Sequence, residues 1–246
     1  MRRILPCLFF LLIAPVCLAK GVPKSTPKPC PNLKSPRKIV THGHITALEL
    51  QTRMDVDVDG APNAYGPPGK PALDILQHGH ALPETGHPER IVGYILQYPG
   101  GPPKIQGPHD PYPGYYISQT TFEDESNPNE DDPRRYVNAA KINYVVLGRD
   151  ARSAGVQIGD FASVYSCRTG RRVWAIVADS GNESGAEGSL ALVRDLGYTH
   201  ITNGIDDSIN RREIVIRYYP HSNPKLTFFK TQAALNYTAE RLNLPQ

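Results

Sequence analysis

The chain has 246 residues, 27 basic and 24 acidic side chains, a formal charge of +3 and 39% hydrophobic residues. That length suits one sizeable core or two small ones, since domains commonly run about 100 to 200 residues. A charge this close to balance gives no electrostatic reason to expect a nucleic-acid partner.

Residues 1–19 open with Arg2 and Arg3, continue as an apolar run from Ile4 to Leu18, and end on Ala19. This is the three-part layout of a secretory signal peptide. The run is shorter than the roughly 20 residues that span a bilayer, so no membrane span is expected and the mature chain is placed outside the cell or in a periplasm. Removing the signal leaves 25 basic and 24 acidic side chains, and it also takes away Cys7 and Cys17. Cys30 and Cys167 remain; an export route permits a disulfide between them, while the sequence leaves two free thiols equally open. Residues 20–38 hold five prolines and five lysines with little apolar content, the composition of a linker that cannot order itself by burial.

Short runs rich in Val, Ile, Tyr and Thr follow, at Ile45–Leu50, Ile91–Tyr98, Tyr115–Thr121, Ile142–Leu147, Phe161–Tyr165, Val173–Val177 and Ile214–Tyr219. Each is bounded by Gly, Pro, Asn or Asp, which is how strands read. Gly60–Pro71 and Pro99–Gly114 are too proline-dense for helix or central strand and are expected as surface loops. Helical spacing of Leu190, Val193 and Leu196 predicts a helix over Glu187–Leu196, stopped by Gly197. A weaker terminal helix is expected over Lys230–Leu242, within a tail of residues 221–246. The sum is one mainly β domain over residues 39–220, more barrel than layered sheet.

Two stretches carry candidate chemistry. In Trp174–Glu187 a strand delivers Asp179 to a polar turn that leads into Glu187. Two carboxyl groups on one rigid frame suit glycoside hydrolysis, in which one protonates the leaving oxygen and the other activates water or attacks. Structural roles compete: an Asp after a strand is commonly a turn residue and a Glu in a first helical turn commonly complements the dipole. In Met54–Pro67, Asp55, Asp57 and Asp59 alternate with valine, so an extended strand projects all three from one face. An EF-hand would need Glu at its twelfth position, which here is Gly66, so an acidic groove floor or a solvated strand face is preferred and no metal or other cofactor is assigned. The His42/His44 and His78/His80 pairs read as loop residues rather than zinc ligands, Glu123–Asp132 reads as a solvated loop, and Trp174 reads as core.

Five ordered segments, VDGAPNAYGP (Val58–Pro67), ALDIL (Ala72–Leu76), YVNAAKINYVVL (Tyr136–Leu147), GDFASVY (Gly159–Tyr165) and AIVADSG with AEGSLAL (Ala175–Leu192), resemble the chitosanases of glycoside hydrolase family 75, bacterial type. The resemblance spans Ile45 to Tyr219. It implies a six-stranded double-psi-like β-barrel with few short helices. It also implies endo-hydrolysis of β-1,4-linked glucosamine polymers with inversion, through an Asp and a Glu that fall on Asp179 and Glu187. Asp55, Asp57, Asp59, Asn63 and Tyr65 are then expected to bind the polysaccharide, and the enzyme to act as a monomer without a cofactor. The chain departs from the family pattern at Ala178, where glycine is expected. A hydrolase of wall glycan and a non-catalytic glycan-binding barrel are the alternatives.

Overall fold

The computed structural model describes residues 30–205 and 207–244; the signal segment and the first ten residues of the linker lie outside them. His42 and Gly43 take φ of 49° and 80°. Two successive positive φ values make the tight hairpin whose twist matches paired strands, and this turn joins β1 (Arg37–Thr41) to β2 (His44–Asp57). The long β2 is then shared. Its first part pairs antiparallel with β7 (Ser208–Tyr218), and its end pairs parallel with β6 (Glu187–Ser189).

From β6 the sheet continues through β3 (Tyr144–Leu147), β5 (Arg172–Ser180) and β4 (Phe161–Ser166) to β7, which returns to β2. The six strands β2-β6-β3-β5-β4-β7 therefore close a barrel, as expected, and β1 is an appendage. Closure leaves no open edge among the six. Met54, Val56 and Val58 alternate with the aspartates of β2 and are buried, as are Val145, Phe161, Ile176, Ile214 and Ile216. Every residue of β3 and β4 is buried, because loops and helices cover the outer face as well as side chains filling the inner one. The described residues contain three short α-helices: α1 (Arg149–Ser153), α2 (Leu190–Asp195) and α3 (Gln232–Arg241).

Several expected elements differ. Ile91–Tyr98 and Tyr115–Thr121 are not strands; they form only isolated bridges, Tyr94 with Ser118 between them, and Ile91 with His80, Leu96 with Pro103 and Tyr116 with Ile105 outside them. Nearby prolines remove the donors a ladder needs. Glu187 does not open a helix. Glu187–Ser189 is strand β6, and α2 begins only at Leu190, where the Ser189 hydroxyl accepts the Leu192 N–H at 3.1 Å. Pairing with Asp55–Asp57 overrides the local helical pattern.

The described part of the expected linker is held to the barrel: Cys30 and Cys167 form a disulfide, and Arg37 and Lys38 enter β1. The tail is part of the core: Phe229, Leu235 and Ala239 are buried, and the Gln232 amide donates to the Trp174 carbonyl at 3.1 Å. The acidic loop is also more than a solvated face. Arg135, itself buried, holds Glu123 and the carbonyls of Asp124 and Asn127, while Asp124 accepts from Lys230 at 3.0 Å.

Candidate active site

Four acidic side chains converge where β2 and β5 end and β6 begins. Asp57 closes β2, and Asp59 follows it by one turn. Gly60 fixes that turn: its φ is 74°, and a Cβ there would lie 2.1 Å from the Val137 carbonyl oxygen, so no other residue fits without moving the backbone. Glu187 enters on β6 directly beside Asp55 in the parallel pairing. Asp179 arrives on β5 through an irregularity: Val145 faces Val177 but Val146 faces Asp179, which leaves Ala178 as an extra residue. Such a bulge turns the following side chain. Buried Ala178 is tied down by the Phe122 N–H at 2.8 Å, so the residue that departs from the family pattern sits in the feature that aims Asp179.

The hydrogen bonds of the two principal carboxyl groups are unequal. Asp179 Oδ1 accepts from the Thr121 hydroxyl (2.7 Å), the Thr121 N–H (3.1 Å) and the Ser180 N–H (2.7 Å). Glu187 Oε1 accepts one side-chain bond, from the Asn182 amide at 2.7 Å. Asp57 Oδ1 accepts from the Asp59 N–H at 2.8 Å, and the Tyr65 hydroxyl donates to Asp59 Oδ1 at 2.7 Å. Fully buried Tyr144 brings its hydroxyl to 3.1 Å from the Asp59 carbonyl oxygen and also against the Asp57 carboxyl.

Crowding like charges away from water favours the protonated forms. Burial, then the charge of Asp74, raises Asp57 to about 6. Burial, then Asp57, raises Asp179 to about 7, against the pull of its three donors. Burial, then Asp57, raises Glu187 to about 8. Asp59 is pushed well above the ordinary range by burial and by Asp57 and Asp179. The group shares its protons and titrates as a unit. One oxygen each of Asp57, Asp59 and Asp179 lie within 4.8 Å of one another, so these three are also the residues that could seat a cation.

Of the residues expected from sequence, Asp57, Asp59, Tyr65, Asp179 and Glu187 come together. Asp55 lies at the margin beside Glu187 and pairs with Arg53 at 2.5 Å. Asn63 serves the loop that carries Tyr65, its carbonyl accepting the Leu73 N–H at 3.0 Å. Among the described residues no hydrogen bond ties its side chain to the cluster. No histidine joins Asp57, Asp59 and Asp179 among the described residues, but His78 bonds at 2.7 Å to Asp74, whose charge reaches Asp57. Thr121, Tyr144, Asp74 and Asn182 were not singled out from sequence. Tyr144 and Asp74 fall inside segments that carry the family resemblance, but nothing in their spacing marks them as neighbours of the aspartates.

No protein-family model matches the chain, and no curated protein matches it. The site's own geometry therefore has to carry the functional argument. A separate cavity of about 580 Å³ lies beside the acidic loop, lined in part by Lys104, Asp110, Asp131 and Arg134. Its two cations are both paired with its three acids, Lys104 with Asp131 and Arg134 with Asp110 and Asp132.

Thr121 offers a direct test of how Asp179 is held. Thr121→Val removes the hydroxyl donor and keeps the backbone one, so the carboxylate loses a bond worth about 1.5 to 3 kcal/mol. The expected outcome is an Asp179 carboxyl titration, read by carbon-13 NMR, displaced upward by about one to two units; an unchanged titration would mean that the Thr121 hydroxyl does not hold the carboxylate.

Proposed function

We propose that the protein is a secreted glycoside hydrolase that cleaves β-1,4-linked glucosamine polymer, chitosan or a close relative, internally and with inversion. The observation that carries this reading is the contrast between Asp179 and Glu187 within one shared cluster. Pairs of titratable groups held in different environments assign acid and base roles. Asp179 has three donors on a single oxygen, which stabilise it as a carboxylate and leave Oδ2 to receive a proton from the attacking water. Glu187 has one such donor and the higher affinity for a proton, so at neutral pH it carries the proton that passes to the leaving glycosidic oxygen.

The remaining carboxyl groups suit the substrate. Glucosamine ammonium groups entering beside Asp55, Asp57 and Asp59 supply positive charge to a cluster that otherwise cannot ionise fully. A nearby cation lowers a carboxyl pKa, so the substrate itself favours ionisation of the base. Tyr65 and Tyr144, whose hydroxyls burial keeps protonated, remain neutral donors that fix the aspartates in place. The resemblance of five ordered segments to family 75 chitosanases supports the same reading, and the signal-like N-terminus and the Cys30–Cys167 disulfide support export.

The deciding experiment is reducing-end release from highly deacetylated chitosan, with N-acetylated wall glycan in parallel, with and without EDTA, and with the anomer formed read by proton NMR. Cleavage of chitosan giving the inverted anomer, indifferent to EDTA, is expected. Release from wall glycan alone would replace the substrate, loss in EDTA would make the aspartate cluster a cation site, and binding of chitosan without release would make the barrel a glycan-binding module.

A further inference from the structure

The end of the barrel remote from the carboxyl cluster is basic. Strand β4 runs antiparallel to β5, so Cys167 and Arg168, just past the end of β4, lie at the pole where β5 begins with Arg172. Seven residues of β5 separate Arg172 from Asp179, a distance of about 23 Å at 3.3 Å per residue. The disulfide fastens Cys30 to this pole. Residues 30–36 are then held across it: the Leu33 N–H donates to the Gln51 side chain at 2.9 Å, Gln51 donates to the Arg212 carbonyl at 2.6 Å, and the Arg212 guanidinium donates to the Leu33 carbonyl at 2.9 Å.

The result is a concentration of exposed cations, Lys34, Arg168, Arg171, Arg211 and Arg212, gathered from three separate stretches of chain. The acid paired with them is Glu213, mostly buried, bonded to Tyr198 and 4.0 Å from Arg168. Lys34 and Arg211 make no ion pair among the described residues. Exposed cations therefore outnumber acids at the end of the barrel where β5 begins, while the candidate carboxyl cluster lies where β5 ends.

We propose that this cationic pole binds an extended anionic polymer, of the kind whose phosphodiester or carboxylate groups repeat along a chain, and so retains the exported protein on an anionic envelope. A repeating polyanion can satisfy several dispersed cations at once, which a small anion cannot, and the field of such a patch concentrates it. A lipid surface fits less well. Segment 30–36 forms neither helix nor strand and so presents no amphipathic face to insert between lipids. Arg172 at the start of β5 lies well beyond the Debye length of about 8 Å from Asp179, whereas Arg211 and Arg212 lie opposite Arg53 at the margin of the acidic face, two residues before Asp55. The inference stands on charge and topology and does not depend on the hydrolase reading.

The test is binding of the whole protein to poly(glycerol phosphate). Wild type is expected to bind at about 50 mM NaCl and at least tenfold more weakly at about 300 mM, as screened charges require. Lys34→Glu with Arg211→Glu should reduce affinity at least about tenfold at the lower salt while its fold, read by circular dichroism, is unchanged. The charge-matched pair Lys70→Glu and Lys225→Glu, away from the pole, should retain the wild-type affinity. Failure of wild type to bind, equal losses in both double variants, or capture by anionic lipid vesicles without capture by the polymer would each overturn the proposal.

Discussion

Glu187→Gln and Asp179→Asn should each lower chitosan-oligomer cleavage by at least about 100-fold, the usual contribution of a positioned acid or base, with binding of the oligomer retained. Both replacements keep shape. Glutamine at 187 can still meet Asn182 through its oxygen, and asparagine at 179 still offers an acceptor to Thr121 and Ser180. What each removes is a proton site. The pH profile separates the two roles. Activity requires Asp179 ionised, which favours pH above about 7, and Glu187 protonated, which favours pH below about 8. The expected profile is a bell displaced well above the ordinary carboxylate range, measured on a short glucosamine oligomer that stays soluble throughout. Azide added to Asp179→Asn should restore turnover by attacking the anomeric carbon in place of the base-activated water, while Glu187 protonates the leaving oxygen, giving the inverted glycosyl azide, and the same addition to Glu187→Gln should not. Full activity in either variant would remove that residue from the mechanism.

Asp57→Asn should make the protein more stable and less active, and the gain should depend on pH. Asp57 titrates at about 6 in the folded protein against an ordinary value of 3.8, so the folded state binds this proton more tightly than the unfolded chain. That contribution to stability is complete below about pH 4 and is lost as pH rises through 6. Asp179 and Glu187, raised to about 7 and about 8, extend the loss to higher pH. Asparagine removes one buried charge and keeps an acceptor for the Asp59 N–H. The expected gain at pH 8 is about 1 to 3 kcal/mol, an increase in melting temperature of about 5 °C for a chain of this size, with no gain at pH 4. Removing the Asp57 charge also lowers the proton affinity of Glu187 and Asp179, so residual activity should show its alkaline limb at lower pH. Equal stability of variant and wild type at pH 8 would mean that the cluster is relieved by another route, a bound cation among them.

Such a cluster is costly to fold around. Four acids and two buried tyrosines occupy space that apolar side chains would fill at less electrostatic cost. Structural strands do not need this arrangement, whereas proton transfer does.

Much of the fold could be read locally. The β-rich runs at 142–147, 161–165, 173–177 and 214–219 correspond to barrel strands β3, β4, β5 and β7, because alternating or continuous Val, Ile and Tyr between Gly and Asn turns has few other uses. Asp55 and Asp57 alternate with valine along β2 and share a face as their spacing predicts, while Asp59 lies past the strand's end on the turn that Gly60 closes. The sequence by itself therefore determined the class of fold and named the acids of the candidate site.

Partnership was decided only by the tertiary structure. Glu187 reads as helix from its own neighbours and becomes strand because Asp55–Asp57 offers it a parallel ladder. Asp179 is aimed by a bulge against β3 that nothing near Ala178 announces. Thr121, 58 residues away, supplies two of the three bonds that hold its carboxylate. The disulfide that brings Cys30 to the basic pole closes a separation of 137 residues. Each of these joins groups distant along the chain, and local preference carries no information about which distant groups barrel closure will bring within bonding distance.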